Sequence, residues 1–367
     1  VALPVAVRRA GECALAMQSE MDHFSELKTS RGRAALSIKV GIGSGEILEC
    51  SIGGILDRWE YVVGGDPLVQ AAMAEHYAEP GQIFMSPPAW AKAKESFVGA
   101  EGANHYGFVQ LLQKNSPLSQ LEPHRLDWRQ LKPKERPLAE EALQCYIPGA
   151  IKARLNEQAE WLAELRRMAI LFVGIGGIDY DAAHAHDRLQ DFLQASQEVI
   201  YHFEGSLGKV AIDDKGTIVL VLFGAPPFYH EDDATRAVAC ALGLQAVARE
   251  QNLRMAIGIS EGSIFAGPVG GPDRREYTVI GDSVNLAARL MQYGRAGTII
   301  VSERVKERAG SQFVTESLGQ ISLRGKTQAL TAYLVKGEQG TQEEFVSRYL
   351  LHTDPLVGRK AELEQMR

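Results

Sequence analysis

Long apolar runs are missing from this chain of 367 residues. The longest candidates, Met168–Ile178 and Thr217–Pro227, are strand-sized, short of the roughly 18 residues a membrane span needs, so no transmembrane helix is expected. Cysteine is scarce: Cys13, Cys50, Cys145 and Cys240 are scattered and none falls in a CxxC pair. That spacing argues against a structural zinc and fits a reducing cytoplasm better than a disulfide framework. No secretory leader pattern opens the chain, and it starts on Val1 without an initiator Met, as a fragment would. An excess of basic charge is lacking too. Lys plus Arg total 39 against 46 Asp plus Glu, a formal charge of −7, which argues against a nucleic-acid-coating or anionic-membrane surface. What remains is ordinary globular composition, 45% hydrophobic and 23% charged, at a length that suits two domains with a joint between them.

Self-similarity organises the chain. The stretch Gly41–Met73 matches Gly258–Leu290: Gly41 pairs with Gly258, Gly45 with Gly262, and Gly53–Gly54 with Gly270–Gly271. After a one-residue offset, Glu60-Tyr61 pairs with Glu276-Tyr277 and Gly65-Asp66 with Gly281-Asp282. The match runs on through Gly81–Ser86 and Gly297–Ser302, and a helical segment, Ala10–Gln18, resembles Ala237–Gln245. The second copy opens with an apolar strand, Met168–Ile175, a helix-like stretch, Asp181–His202, and a two-strand unit, Lys209–Ile212 and Thr217–Phe223, around Asp213-Asp214-Lys215-Gly216. Nothing equivalent precedes Ala10, so the first copy is short by roughly 60 residues at its front. Glu122–Pro148, rich in Pro and charge, reads as a linker, and Ile151–Arg167 has helical apolar spacing. The expected divisions are residues 1–120, a linker with a helix over 121–166, a second domain over 167–340, and the start of something new over 341–367. Each copy alternates strands and helices with α+β character.

The chemistry gathers in the second copy. In Glu276-Tyr-Thr-Val-Ile-Gly-Asp-Ser-Val-Asn-Leu-Ala-Ala-Arg a β-rich run stops at Gly281, and Asp282 or Ser283 can cap the helix that follows. Asn285 and Arg289, at i and i+4, share one face of that helix. An amide beside a guanidinium suits a ribose oxygen and a phosphate; the competing reading is two solvated side chains. The repeat bears on the choice. Asn285 becomes Val69 and Arg289 becomes Met73 in the first copy, while the surrounding glycines and Asp66 persist. A difference confined to the polar pair suggests one site built and its twin dismantled.

These residues resemble the class III nucleotidyl cyclases, and the order of parts most resembles the soluble adenylyl cyclases with two tandem domains. The resemblance covers about residues 1–340 and is most specific in the run Glu276–Arg289. It implies two ferredoxin-like α+β cyclase domains, the first incomplete, joined as a pseudo-symmetric intramolecular dimer, and hence a monomeric chain. It also implies a site at the domain interface that takes ATP to 3′,5′-cyclic AMP and pyrophosphate with two Mg²⁺ or Mn²⁺ ions. Carried over by match, Lys209 and Thr278 read the adenine, while Asn285 and Arg289 serve the transition state. Guanylyl cyclases of the family usually have Glu and Cys at the two base positions, so ATP is favoured over GTP.

The departures are as informative. The first metal aspartate of the family falls at Gly174, which offers no ligand. Asp213 lies four residues after Lys209, the family's spacing for the second, but with Asp214 it reads as a turn pair. The metal aspartates are therefore expected upstream of Val1. The arginine that bicarbonate needs in related animal enzymes falls at Ala72, which puts that activation in doubt. Leu323-Arg-Gly-Lys-Thr lacks a correctly spaced glycine for a phosphate loop, since Gly319 stands one residue too far, and reads as part of a late strand pair. Gly174-Ile-Gly-Gly is no dinucleotide fingerprint, lacking the third glycine and the downstream acid. His184 and His186 read as solvated. The terminal Pro355–Leu363 resembles the entry to a signal-transduction ATPase domain. The rival reading is accordingly a catalytically inactive nucleotide-sensing module that regulates such an ATPase.

Overall fold

The structure is a computed structural model, which describes residues 3–29, 32–101, 106–115, 130–147, 164–180, 182–213, 216–226, 228–270, 275–323 and 329–339. By compactness the chain divides into two units. The first is Val1–Tyr146 with Gly176–Asp191 and Val210–Ile218. The second is Ile147–Ile175 with Phe192–Lys209 and Val219–Arg367.

In chain order the first copy runs α1 (Leu3–Met21), β1 (Leu27–Thr29), β2 (Gly32–Ala34), β3 (Val40–Ile42), β4 (Leu48–Gly53), β5 (Trp59–Gly64), α2 (Asp66–Tyr77), β6 (Ile83–Met85), α3 (Pro87–Ala93), β7 (Phe97–Glu101), β8 (Val109–Lys114) and α4 (Arg136–Gln144). A four-stranded sheet in the order β3-β6-β8-β7 carries its core, with the β4–β5 hairpin as a separate ribbon. Val7 and Ala14 of α1 close over Ile42, Ile83, Met85 and Phe97.

The second copy runs β9 (Glu164–Gly176), α5 (Ala185–His202), β10 (Ser206–Asp213), β11 (Gly216–Phe223), α6 (Asp233–Glu250), β12 (Arg254–Gly270), β13 (Arg275–Ile280), α7 (Asp282–Tyr293), β14 (Thr298–Ser302), α8 (Glu303–Ala309), β15 (Phe313–Ile321) and β16 (Leu330–Glu338). Its sheet has the order β10-β11-β9-β12-β14-β16-β15, with β13 paired to β12. Half of that order, β12-β14-β16-β15, repeats the first copy's sheet. Among the described residues the first copy has no strands corresponding to β9, β10 and β11.

The duplication is exact in register. Leu48 through Gly53 pair with Gly64 through Trp59, and Phe265 through Gly270 pair with Ile280 through Arg275 in the same steps. The parallel pair Gly41–Phe84 recurs as Gly258–Ile300. A steric constraint keeps the glycines: a Cβ on Gly41 would lie 1.9 Å from the Ala71 carbonyl oxygen, and one on Gly258 would lie 2.1 Å from that of Ala287. In each copy a helix backbone therefore rests directly on the strand, where only glycine fits.

Three expectations need correction. Helical spacing was read through Arg167; residues 151–163 lie outside the described ones, but Glu164–Arg167 are already strand, because β9 extends its apolar run backward with alternating burial. The stretch read as plain linker contains α4, started by Pro137 in its first turn, where a missing N–H costs nothing. Gly281, not Asp282 or Ser283, holds the capping position of α7, and Asp282 is its first helical residue. Of the phosphate-loop decoy Leu323–Thr327, all but Leu323 lies outside the described residues; β15 and β16 on either side of it form an antiparallel pair.

Candidate active site

The site residues, all in the second unit, stand on three elements: β10, and β13 and α7, which a single turn connects. β13 is held along β12, with Thr278 opposite Gly267. Successive side chains alternate across a strand, so Glu276 and Thr278 project to the same face. Lys209, on β10, reaches that face: its Nζ lies 3.0 Å from the Glu276 Oε1, both side chains 57% exposed. A pair this open contributes at most about 1 kcal/mol, and the ammonium retains two further N–H donors for a nucleobase. Thr278 is half-buried nearby on the strand. Glu276 was not singled out in the sequence; its even spacing from Thr278 was the available signal.

α7 presents the other pair. Its inner face buries Ala287, Leu290 and Met291, leaving Asn285 exposed and Arg289 half-buried. Neither side chain has a hydrogen-bond or ion-pair partner among the described residues. A guanidinium without an internal carboxylate is available to an anion from outside, and a neighbouring amide can hold a hydroxyl. Asp282, in the first turn, complements the positive end of the helix.

The twin positions of the first copy offer none of this. Val62 replaces Thr278, Val69 replaces Asn285, and Met73 replaces Arg289 and is 42% exposed. Gln70, next to Val69 on α2, is engaged internally. Its Oε1 accepts from the Ser44 N–H at 3.1 Å and the Ser86 hydroxyl at 2.7 Å, while its amide donates to Asp66. Ala72, where bicarbonate recognition would need arginine, lies half-buried on the same helix.

Among the described residues the second copy shows no pair of carboxylates placed for two ions. Position 174 has no carboxylate, and a Cβ there would meet the Met291 Sδ at 2.6 Å. Among the described residues no group of three or more His, Cys, Asp or Glu could hold a metal ion. Asp213 closes β10, and Asp214 lies outside the described residues. His184 and His186 are exposed, the latter 3.2 Å from Asp187. No helix among the described residues is long and apolar enough to cross a membrane.

Residues 167–337, just under half of the chain, match the Adenylate and Guanylate cyclase catalytic domain family. The chain is homologous to human adenylate cyclase type 10, with 29% identity over 283 residues that cover 70% of this chain. It spans only 17% of that protein's length. An uncharacterized protein of Mycobacterium tuberculosis is 30% identical over 185 residues, covering 48% of this chain and 32% of its own. Among solved structures, the adenylyl cyclase CyaB from P. aeruginosa aligns over 49% of this chain and 97% of its own, at 23% identity and a TM-score of 0.45.

Proposed function

We propose that the chain is the nucleotide-recognition half of an adenylate cyclase, in which ATP is cyclised to 3′,5′-cyclic AMP with release of pyrophosphate. The observation that carries the proposal is the asymmetry of the duplication. The scaffold is reproduced register for register, yet Thr278, Asn285 and Arg289 occur in one copy and Val62, Val69 and Met73 in the other.

Each side chain has a task that its chemistry suits. Adenine offers an amino donor and a ring-nitrogen acceptor, which the Thr278 hydroxyl and the Lys209 ammonium complement. Asn285 orients the ribose so that its 3′-hydroxyl faces the α-phosphorus. As that oxygen attacks, the bond to the pyrophosphate oxygen breaks, negative charge grows on the departing group, and Arg289 is placed to offset it. The carboxylates that would hold the divalent ions belong, on this reading, to a different domain from residues 167–337.

The test is cyclic AMP formation from Mg-ATP or Mn-ATP by this chain and by a form lengthened on its N-terminal side. Turnover in the longer form that disappears in Asn285→Ala supports the cyclase. ATP binding without turnover in either form points instead to a nucleotide-sensing regulatory module. Equal or better turnover of GTP would overturn the assignment of Lys209 and Thr278.

A further inference from the structure

The mismatch at Gly174 has a structural cause that bears on the nucleotide-facing helix. β9 and β12 are neighbours in the sheet, and each places a glycine under α7. A Cβ on Gly258 would lie 2.3 Å from the Met291 backbone nitrogen, and one on Gly174 would lie 2.6 Å from the Met291 Sδ. Met291, 8% exposed, is thus seated over two adjacent strands, its backbone on one glycine and its thioether on the other. Arg289 is two residues before it on the same helix, and Asn285 is one further turn back.

We infer that Gly174 is a positioning residue: by admitting the Met291 thioether it sets the height of α7 over the sheet, and so the placement of Asn285 and Arg289. By the resemblance, Gly174 stands where the family's metal-ligating aspartate would fall, and here that position serves as a seat for Met291. Restoring the aspartate would lift the helix rather than recover an ion site. Interiors packed without voids transmit such a displacement instead of absorbing it. What the displaced pair would lose depends on the cyclase reading above; the seat itself does not.

The test compares Gly174→Val, the milder Gly174→Ala, and Gly174→Val combined with Met291→Ala, which returns the volume. Two measurements are needed: amide hydrogen exchange along α7, and kcat and KM for ATP in whichever form of the chain turns over. Gly174→Val is expected to speed exchange in α7 and lower kcat about a hundredfold, the effect of roughly a 1 Å misplacement, with KM within about threefold. The double variant should recover turnover to within about tenfold. A merely stabilising glycine would lower the melting temperature without separating kcat from KM below it. Unchanged exchange and turnover in Gly174→Val would overturn the inference, as would Mn²⁺ binding gained by Gly174→Asp with α7 undisturbed. Absence of any cyclic nucleotide from the unsubstituted protein would sink the cyclase reading alone, leaving the exchange measurement to decide the seat.

Discussion

The two copies agree where backbone meets backbone and part where side chains meet solvent. The Gly81 N–H donates to the Ile38 carbonyl at 2.9 Å, and the Gly297 N–H donates to the equivalent Met255 carbonyl at 2.6 Å. Gln18 on α1 secures the same corner through Ile38 and Gln82, as Gln245 on α6 does through Gly297. Two helices and two strands have kept their glutamine clamp and their glycine seats. By contrast, Asn285 and Arg289 of α7 stand where α2 has Val69 and Met73. A buried contact is constrained by every neighbour it touches, whereas an exposed side chain is constrained only by what binds it. On the proposed function, the polar residues at 278, 285 and 289 against Val62, Val69 and Met73 record a ligand kept by one copy and lost by the other.

The largest test of this contrast converts the second copy toward the first. Arg289→Met and Asn285→Val, each separately, should lower kcat for cyclic AMP by about 10²- to 10³-fold, the usual effect of deleting one preorganised group that meets transition-state charge. The reverse change, Met73→Arg, should leave turnover within about twofold, because Val62 and Val69 remain. Activity retained in Arg289→Met would remove the central distinction between the copies.

A second contrast concerns paired glutamates. Glu276 stands in the open with Lys209, but its twin Glu60 is 12% exposed beside Arg58, at 2.5 Å. Burial pushes the Glu60 carboxyl up from its ordinary 4.5 to about 7, against the lowering pull of Arg58. A raised carboxyl pKa means the folded state holds its proton more tightly than the unfolded chain. The associated stability is present below about pH 4.5 and is lost as the pH rises through 7, an effect of about 3 kcal/mol at 1.4 kcal/mol per unit. Glu60→Gln should therefore gain on the wild type by about that much between pH 4.5 and 8, read as urea midpoints across that range. Parallel pH dependences for the two proteins would show that Glu60 ionises normally.

The shared glycine seats give a prediction on which the copies should agree. Gly258→Ala and Gly41→Ala each drive a methyl into a helix carbonyl that cannot turn aside, and each should cost about 2 to 3 kcal/mol by overpacking. A loss below about 0.5 kcal/mol at either position in denaturant unfolding would mean that helix has room to lift.

Much of this was legible in the sequence because a repeat compares a chain with itself. The pairing of Gly41 with Gly258 and of Glu60 with Glu276 anticipated the strand registers, and the Asn285–Arg289 spacing anticipated a shared helix face. What was not legible depended on contacts distant in sequence. Nothing near Gly174 reveals that its missing side chain is replaced by Met291, more than a hundred positions later. Nor does anything near Arg58 reveal that its guanidinium donates to the Cys145 carbonyl at 3.2 Å, which ties the stretch after α4 to the β4–β5 hairpin. Helix limits misled for a local reason: the apolar spacing before Arg167 continues into a strand, and periodicity alone does not mark where one ends.

The smallest expected effect isolates base recognition. Thr278→Val places in the second copy the residue its twin already has at Val62, opposite Cys50 in the same register that sets Thr278 opposite Gly267. Shape and β-propensity are nearly conserved, so folding should be unaffected and only the hydroxyl is lost. One neutral hydrogen bond to a nucleobase is worth about 1 kcal/mol net, rising when its partner is left unsatisfied in a desolvated site. The expected outcome is a fall of about tenfold in kcat/KM for ATP, with little change for GTP, measured in direct competition. An equal fall for both nucleotides would place Thr278 against the ribose or the phosphates, and the difference between the copies would then lie in anchoring the substrate, not in reading its base.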